Sequence, residues 1–566
     1  KSLYSVQVFE KMVKLITKTV LLNSKFFFLN NVRYNYTLLK FCDKTMKVIN
    51  SILLFCLLCD INIPYYCFHS DLSIAGNCRM CLVQLDTSLK PIASCAVSIG
   101  INSTIYTNTK IIQKAREGVL EFLLINHPLD CPICDQAGEC GLQEQYMAFG
   151  KYEPEMAEKK VKKHKVVDLG PTVVLDSERC ILCSRCVRFT EEVSKTNELG
   201  IFNRGDRSEI GCVDGKSLDN KYSLNTVDIC PVGALTSKDF RFKQRVWYLK
   251  DSDTVCNGCS TGCNVKVYFN KEGMFRVKPV PNEQVNGYWM CDEGRNIYQF
   301  ANKENRFEKG IKKSGGTSVE TMLPGALAKE LHQLVKSGKD QTAVVLTGQY
   351  TSEEYDSFIG TLGKEFGIKK VYHWNQNEKQ MNDFDGLLIR GDKNPNTKGL
   401  LKAFEKHQIK TEWQELENSL ESKSIKNLIV AGPENLSVFA DIDSKLALFS
   451  KAENLIWLGA AKVEALISES GKIKSKNLFV IPLKSFVEKE GTFINHAGLE
   501  QKFKKATTIL HETLTLTEVA ILFAGKNLTL PSAVEKPAFV ESQRRSDQVQ
   551  LEHRKKNEFV FKRGTL

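Results

Sequence analysis

Cysteine spacing is the feature that most constrains what this chain can fold into. Fifteen of the nineteen cysteines, together with one histidine, form four groups of four residues, and no cysteine follows Cys291. The groups are Cys67-x10-Cys78-x2-Cys81-x13-Cys95, His127-x3-Cys131-x2-Cys134-x5-Cys140, Cys180-x2-Cys183-x2-Cys186 with Cys230, and Cys256-x2-Cys259-x3-Cys263-x27-Cys291. Four protein ligands are what one iron-sulfur cluster requires. The sequence therefore predicts four metal centres, called here the first, second, third and fourth sets.

The first set has the layout of a plant-type ferredoxin site, with one early cysteine, a close pair and a distant fourth. Gly76 precedes the pair, where the backbone must approach sulfur closely and donate N–H groups. A strand is predicted over residues 82–85. A structural zinc is the alternative, but zinc sites usually pair two short-spaced ligand knuckles. The spacing favours a 2Fe-2S cluster.

The second set places His127 where a fourth cysteine would stand. A helix predicted over residues 114–125 delivers this histidine at its end, and Pro128 and Pro132 restrict the loop. The alternative is that His127 only caps or packs beside a three-cysteine site. Cys131, Cys134 and Cys140 have no other obvious fourth ligand, so we expect a histidine-ligated 4Fe-4S cluster.

The third set follows the bacterial ferredoxin pattern, three cysteines in a tight loop and a remote Cys230-Pro231 turn. A 4Fe-4S cluster is predicted, because zinc does not explain that turn. The fourth set predicts another 4Fe-4S cluster, with Gly258 and Gly262 allowing close backbone approach. Its last ligand is expected to be Cys291, with Cys212 as the alternative.

The remaining composition excludes several classes of protein. Thiolate clusters of this density indicate a reducing compartment rather than a disulfide scaffold. The formal charge of +12 is scattered, without a basic stripe interleaved with aromatic residues, so nucleic acid is not an expected partner. The apolar run 48–59 is shorter than the roughly 20 residues of a membrane span and predicts a buried helix. The cysteines outside the four sets are Cys42, Cys56, Cys59 and Cys212.

Four segments, residues 75–83, 115–140, 179–188 and 228–236, resemble the large iron-sulfur subunit of respiratory complex I, the G-subunit family of NADH-quinone oxidoreductases. The resemblance implies electron transfer from NADH and FMN, held on a neighbouring subunit, toward quinone. It implies other peripheral-arm subunits as partners, including the FMN- and NADH-binding subunit and the quinone-side iron-sulfur subunits. The expected location is the cytoplasmic face of the bacterial inner membrane, or alternatively the matrix face of the mitochondrial inner membrane, without a membrane span. No substrate site or catalytic residue is expected on this chain.

The C-terminal half alternates apolar strands with helical patterns, which predicts a parallel α/β sheet. The strands are expected over residues 342–347, 386–390, 426–430, 455–459 and 477–481, with helices over 353–366 and 398–407. Residues 490–498 resemble a late signature of the molybdopterin oxidoreductase fold. Because no cysteine is present there to bind molybdenum, we expect this fold without molybdopterin.

The predicted fold class is thus multidomain α+β and α/β. Residues 1–112 hold an N-terminal segment and a ferredoxin-like β-grasp 2Fe-2S domain, 113–152 a 4Fe-4S domain with one histidine and three cysteine ligands, and 153–248 a ferredoxin-like 4Fe-4S domain. Residues 249–305 form the 4Fe-4S head of the molybdopterin-oxidoreductase-like domain at 306–566, which ends in a basic tail. The first fifty residues are either a targeting segment or the first two strands, at 20–22 and 26–29.

Other classes of protein are open at this point. A molybdenum formate dehydrogenase shares the first two cluster types, but it typically carries a second ferredoxin run and a cysteine or selenocysteine after the fourth set. An iron-only hydrogenase needs further cysteines for its active-site cluster, which this chain lacks after Cys291. A zinc-binding scaffold is the non-enzymatic alternative, and metal and sulfide analysis separates it from an electron carrier.

Overall fold

The computed structural model describes residues 31–33, 51–59, 61–98, 104–153, 155–156, 158–315, 318–375, 381–436, 439, 441–467 and 473–528. The chain divides into two compact units. The first comprises Lys1–Leu169, Val174–Ser217 and Ile229–Leu235, and the second Gly170–Val173, Leu218–Asp228 and Thr236–Leu566. The division into five domains stays a prediction, as do the N-terminal strands and the basic tail, which lie outside the described residues.

The first unit begins with a small antiparallel sheet. Its strands, β1 (Asn31–Arg33), β2 (Leu82–Leu85), β3 (Ile92–Ala93) and β4 (Thr104–Tyr106), lie in the order β1-β4-β2-β3. Helix α1 (Ile52–Leu58) starts where the Ser51 side chain accepts the Leu54 N–H at 3.3 Å. This confirms the predicted helix, in which Cys56 is buried, while Cys59 just beyond it is exposed. The core beneath the sheet includes the ligand candidates Cys81 and Cys95.

Short elements carry the rest of the first unit. Helix α2 (Lys110–Leu124) is capped by Thr109 and confirms the predicted helix, with a start four residues earlier. The other elements are α3 (Gly141–Phe149), β5 (Val167–Asp168), α4 (Arg185–Arg188), β7 (Leu199–Phe202) and β8 (Glu209–Cys212), while the strands β6 (Val173–Leu175) and β9 (Leu235–Ser237) each include residues assigned to the second unit. Strands β5 and β6 pair antiparallel, as do β7 and β8.

A three-stranded antiparallel sheet opens the main part of the second unit. It consists of β10 (Lys250–Val255), β11 (Asn264–Asn270) and β12 (Gly273–Pro279), in that order. The short helices α5 (Asn225–Asp228), α6 (Asp292–Arg295) and α7 (Tyr298–Ala301) belong to the same unit. The fourth set lies at the ends of these elements, because Cys256 follows β10, Cys263 precedes β11 and Cys291 caps α6.

A seven-stranded sheet is the centre of the second unit, in the order β14-β13-β19-β18-β17-β15-β16. Its strands are β13 (Gly310–Ser314), β14 (Ser318–Met322), β15 (Thr342–Leu346), β16 (Val371–His373), β17 (Asn427–Ala431), β18 (Asn454–Gly459) and β19 (Asn477–Pro482). Strands β15 to β19 pair in parallel, and β13 joins β19 antiparallel. Alternate strand residues enter two separate apolar cores, so the central strands are buried on both faces, as parallel sheets usually are.

Helices and a hairpin complete this unit. They are α8 (Pro324–Ser337), α9 (Ser352–Phe366), α10 (Thr397–Lys406), α11 (Trp413–Glu421), α12 (Ile442–Phe449), α13 (Glu464–Ile467), α14 (Leu516–Phe523), and the strands β20 (Gly491–Ile494) and β21 (Glu500–Phe503). The predicted mixed α/β character is confirmed, including four of the five predicted C-terminal strands and both predicted helices, each within one or two residues.

One predicted strand is wrong. Residues 386–390 form a loop, because the Asp385 side chain accepts the N–H groups of Leu387, Leu388 and Ile389 at 3.0 to 3.1 Å and curls the chain around itself. Strand β16 lies at the edge of the sheet instead and pairs in parallel with β15.

Candidate metal centres

The first set converges at the end of β2. Cys67, Cys81 and Cys95 are buried and Cys78 is partly buried. Hydrogen bonds from Cys78 and then Cys95 lower the pKa of the Cys67 thiol, and the same pairings raise the pKa of Cys78 and Cys95. A hydrogen bond from Cys95 lowers the pKa of Cys81 to about 6. All four predicted ligands therefore lie together, with thiols that interact directly.

The loop of the first set is shaped for close approach to sulfur. Gly76 and Arg79 both have left-handed backbone angles, with φ of +61° and +57°. The backbone N–H groups of Asn77 and Cys78 help to lower the pKa of Cys67, which means that they point toward its sulfur. Such N–H donors stabilise thiolates and tune a bound cluster.

The second set surrounds a short 3-10 turn. Cys131 starts the turn, Cys134 ends it, and Cys140 precedes helix α3. Burial raises the pKa of Cys134 and of Cys140, and each of these thiols also responds to the charge of Cys131. The structure therefore brings the three cysteines together.

His127 lies just beyond the end of helix α2. Its Nδ1 is buried and has no hydrogen-bond partner within the described part of the chain. Burial lowers its pKa to about 4, so the imidazole is neutral near pH 7. A neutral ring with an unpartnered nitrogen is what a metal-ligating histidine requires. Ligation by His127 stays a prediction.

The third set lines a cavity with an empty volume of about 340 Å³. All four cysteines contribute to its wall, together with apolar residues such as Leu175, Ile210 and Val232. The Leu182 N–H donates to Cys180 Sγ at 3.4 Å. Burial raises the pKa of Cys180 to about 12 and that of Cys183 to about 11, so a metal that binds here must displace protons.

The fourth set lines a similar cavity of about 360 Å³. The Gly258 N–H donates to Cys256 Sγ at 3.4 Å and the Gly294 N–H to Cys291 Sγ at 3.2 Å. Burial raises the pKa of Cys256 well above its usual value. Cys291 is part of the cavity wall, whereas Cys212 lies in β8 and donates to the Leu169 carbonyl.

The donor sets fit iron-sulfur clusters. Each of the two cavities is lined by four cysteines, and N–H groups donate to sulfurs in both, as cluster ligands need. In the described residues, no three or more His, Cys, Asp or Glu side chains are grouped so that they could hold a single metal ion.

Two arginines join the first and third sets within the first unit. The buried Arg188 donates to the carbonyl of Cys67 at 2.5 Å, to that of Ser73, and to that of Cys183 at 3.4 Å. Arg185 donates to the Phe68 carbonyl at 2.5 Å and to that of Ile229 at 3.0 Å. These side chains hold the two ligand loops against each other.

The second set is also in contact with the third. Arg179, next to Cys180, forms an ion pair with Asp130, next to Cys131, at 2.7 Å. Gly233, in the turn after Cys230, leaves no room for a side chain, because a Cβ there would collide with Cys134 Sγ. The third set therefore contacts both the first and the second, although it follows both in the sequence.

The loop 385–393, which contains the predicted strand 386–390, covers the fourth set, and the sequence analysis did not predict this role. Its residues Leu388, Ile389 and Lys393 form part of the cavity wall. The signal that could have revealed this is the Asp-Gly turn at Asp385-Gly386, which is atypical of a strand interior.

Comparisons with known proteins find iron-sulfur or ferredoxin-like domains over three of the four sets. Family profiles match at residues 170–236 (NADH-quinone oxidoreductase subunit 3, ferredoxin-like domain), 116–155 (NADH-ubiquinone oxidoreductase-G iron-sulfur binding region) and 249–303 (molybdopterin oxidoreductase Fe4S4 domain). The three matches contain the second, third and fourth sets. The fold and these sites define an iron-sulfur protein with several 4Fe-4S-type domains.

The relatives narrow this class further. The NADH-quinone oxidoreductase G subunit of Rickettsia conorii is 39% identical over 326 residues, 58% of this chain and 47% of that protein. The mitochondrial NADH dehydrogenase [ubiquinone] iron-sulfur protein 1 of Solanum tuberosum is 41% identical over 322 residues, 56% of this chain and 43% of that protein. Over its matched part this chain is similar to these G-subunit proteins, and that part spans less than half the length of the two relatives.

A solved structure, an NAD+-reducing [NiFe]-hydrogenase in the H2-reduced state, also matches. It is 27% identical, with a TM-score of 0.32, and the match covers 35% of this chain and 84% of that one. A TM-score this low supports no statement about the overall fold.

Proposed function

We propose that this chain is an electron-relay subunit of an NADH-quinone oxidoreductase, passing single electrons from the NADH and FMN side toward quinone. The observation that carries the proposal is the third set, one buried and three partly buried cysteines around one cavity, within a region that matches the profile of an NADH-quinone oxidoreductase ferredoxin-like domain. These thiols and the Leu182 N–H that donates to Cys180 Sγ supply what a one-electron carrier needs.

The proposed ligands follow the four sets. Cys67, Cys78, Cys81 and Cys95 would hold a 2Fe-2S cluster in a β-grasp domain. The three 4Fe-4S clusters would be held by His127, Cys131, Cys134 and Cys140, by Cys180, Cys183, Cys186 and Cys230, and by Cys256, Cys259, Cys263 and Cys291. Bound clusters would accept and release single electrons at potentials set by ligand type, burial and hydrogen bonds to sulfur.

The chain's own residues would orient these centres. Arg185 and Arg188 fix the first loop against the third, and Arg179 with Asp130 fixes the second loop against the third. Mostly apolar walls surround the third and fourth cavities. Electron tunnelling between centres depends on such fixed spacing, and a rigid scaffold keeps it constant.

Partners and location are proposed from the family. The other peripheral-arm subunits, including the FMN- and NADH-binding subunit and the quinone-side iron-sulfur subunits, would flank this chain at a membrane face, cytoplasmic in a bacterium or matrix in a mitochondrion. Among the described residues, no helix combines the length and apolar character needed to cross a bilayer. The seven-stranded α/β part would act as a scaffold without molybdopterin.

The alternatives are less well supported. The matched relatives are complex I subunits, which does not favour a molybdenum formate dehydrogenase. A zinc scaffold would use the same thiols without sulfide.

Metal and sulfide analysis of the full chain tests the proposal. One 2Fe-2S and three 4Fe-4S clusters predict about fourteen iron atoms and as many acid-labile sulfides per chain. Low-temperature electron paramagnetic resonance of the reduced protein should resolve one 2Fe-2S signal and three 4Fe-4S signals. Stoichiometric zinc with no labile sulfide would refute the proposal.

A further inference from the structure

The loop over the fourth set is held in place by a dense group of hydrogen bonds. The Thr261 hydroxyl donates to the Leu388 carbonyl at 2.5 Å, and the Ser260 N–H donates to the Asp392 carbonyl at 2.8 Å. The buried Tyr222 hydroxyl accepts the N–H groups of Leu388 and Ile389, each at 3.1 Å. The loop is therefore fixed to the segment that carries Cys259 and Cys263.

This fixed loop places a cation at the cavity wall. The wall is otherwise apolar, and Lys393 and Glu293 are the charged residues that line it. Their side chains form an ion pair, with Nζ of Lys393 2.8 Å from Oε2 of Glu293. Their exposed fractions are 22% and 37%, so the pair stands at the margin of the cavity, partly shielded from water.

Another nearby cation is already neutralised. The guanidinium of Arg295 lies 2.5 Å from Asp228 Oδ2 and donates to Asn225 Oδ1 at 2.9 Å. Its charge is matched within its own surroundings and it does not line the cavity. Lys393 and Glu293 are consequently the charges best placed to act on a group held by the four sulfurs.

Reduction adds one negative charge to a centre whose four thiolate ligands are already anionic. A cation beside an apolar cavity lowers the free energy of the reduced form, and a carboxylate raises it. We propose that Lys393 sets the reduction potential of the fourth centre upward and that Glu293 opposes it. This inference rests on the proposed function, since it requires that the fourth set hold a cluster.

The test is a redox titration of the full chain with its clusters bound, followed by low-temperature electron paramagnetic resonance. Lys393→Met should shift the midpoint potential of the fourth signal downward, and Glu293→Gln should shift it upward. Lys393→Arg keeps the charge and should stay near the wild-type potential. Lys398→Met, an exposed lysine on the same stretch, is the control and should move nothing.

Opposite shifts from two members of one ion pair distinguish a charge effect from a structural one. Shifts of the same sign, no shift in either variant, or loss of the fourth signal in both would overturn the inference. A wild-type protein without any fourth signal would instead overturn the ligand set on which the inference rests. The signal of the third centre, recorded in the same samples, shows whether a variant has disturbed the fold.

Discussion

The imidazole of His127 is the one predicted ligand that is not a thiol. Its Nδ1 is buried and unpartnered in the described structure, and burial lowers its pKa to about 4. A neutral imidazole contributes no negative charge to a centre, whereas a thiolate contributes one. A histidine-ligated cluster is therefore easier to reduce than a four-cysteine cluster in the same place.

Replacement of this histidine gives a direct prediction. His127→Cys should retain the second cluster and shift its midpoint potential downward, measured by a redox titration with electron paramagnetic resonance. His164→Cys is a matched control, because the His164 side chain is 82% exposed. An unchanged potential in His127→Cys would show that His127 is not a ligand.

At the residue scale, the sequence indicates which cysteines lie together better than it indicates what surrounds them. The cysteines of each close pair or triplet come together because the chain between them is too short to separate them far. The contacts of Arg188 with Cys67 and Ser73 join segments more than a hundred residues apart, and no local pattern reports such contacts. The same applies to Lys393, which meets Glu293 across a hundred residues of chain.

At the scale of elements, one buried charge cluster lies beside the hairpin β20–β21. The ammonium of Lys489 is 3.0 Å from Glu354 of helix α9 and 2.9 Å from Glu434, and all three side chains are buried. Although burial opposes its charge, the two carboxylates raise the pKa of Lys489. Removing the cation would leave two buried carboxylates facing each other.

We therefore expect Lys489→Met to destabilise the protein by about 3–5 kcal/mol, the usual cost of breaking a buried ion pair. Urea unfolding followed by circular dichroism measures this free energy. Lys502→Met, on the same hairpin but exposed, should change stability by less than about 0.5 kcal/mol. Equal stability of the two variants would mean that Lys489 does not neutralise these carboxylates.

The strands of the parallel sheet were predictable because each is a short, nearly continuous apolar run buried on both faces. The run at 386–390 has the same composition but not the same environment. Asp385 binds its N–H groups, and its apolar side chains Leu388 and Ile389 cover the fourth set instead of a sheet. Composition shows that such a segment will be buried, but not what it will be buried against.

At the scale of the whole molecule, the two units differ in how they are stabilised. Among the residues that the structure describes, the second has two large apolar cores, one on each face of the seven-stranded sheet. The first has a smaller core beneath the β1-β4-β2-β3 sheet, and that core includes the ligand candidates Cys81 and Cys95. The first unit is therefore expected to depend on bound metal for its stability, since metal binding free energy becomes folding free energy.

Removal of the clusters tests this difference. After treatment with a chelator under reducing conditions, amide hydrogen exchange should rise across residues 61–98 and 104–153, while strands β15 to β19 stay protected. The exchange of each peptide is compared with that of the same peptide in the cluster-bound protein. Mass spectrometry measures peptides from both regions in one sample. If strands β15 to β19 lost as much protection as residues 61–98 and 104–153, the core of the second unit would depend on the clusters as well.

The third set touches both of its neighbours in the first unit. Arg188 reaches the carbonyl of Cys67 on one side, and Arg179 reaches Asp130 on the other. The stretch 179–188 thus contains three of the proposed ligands of the third set and holds the loops of the two neighbouring sets. A substitution in this short stretch would affect three candidate centres at once. Its residues therefore cannot vary independently of the two neighbouring loops.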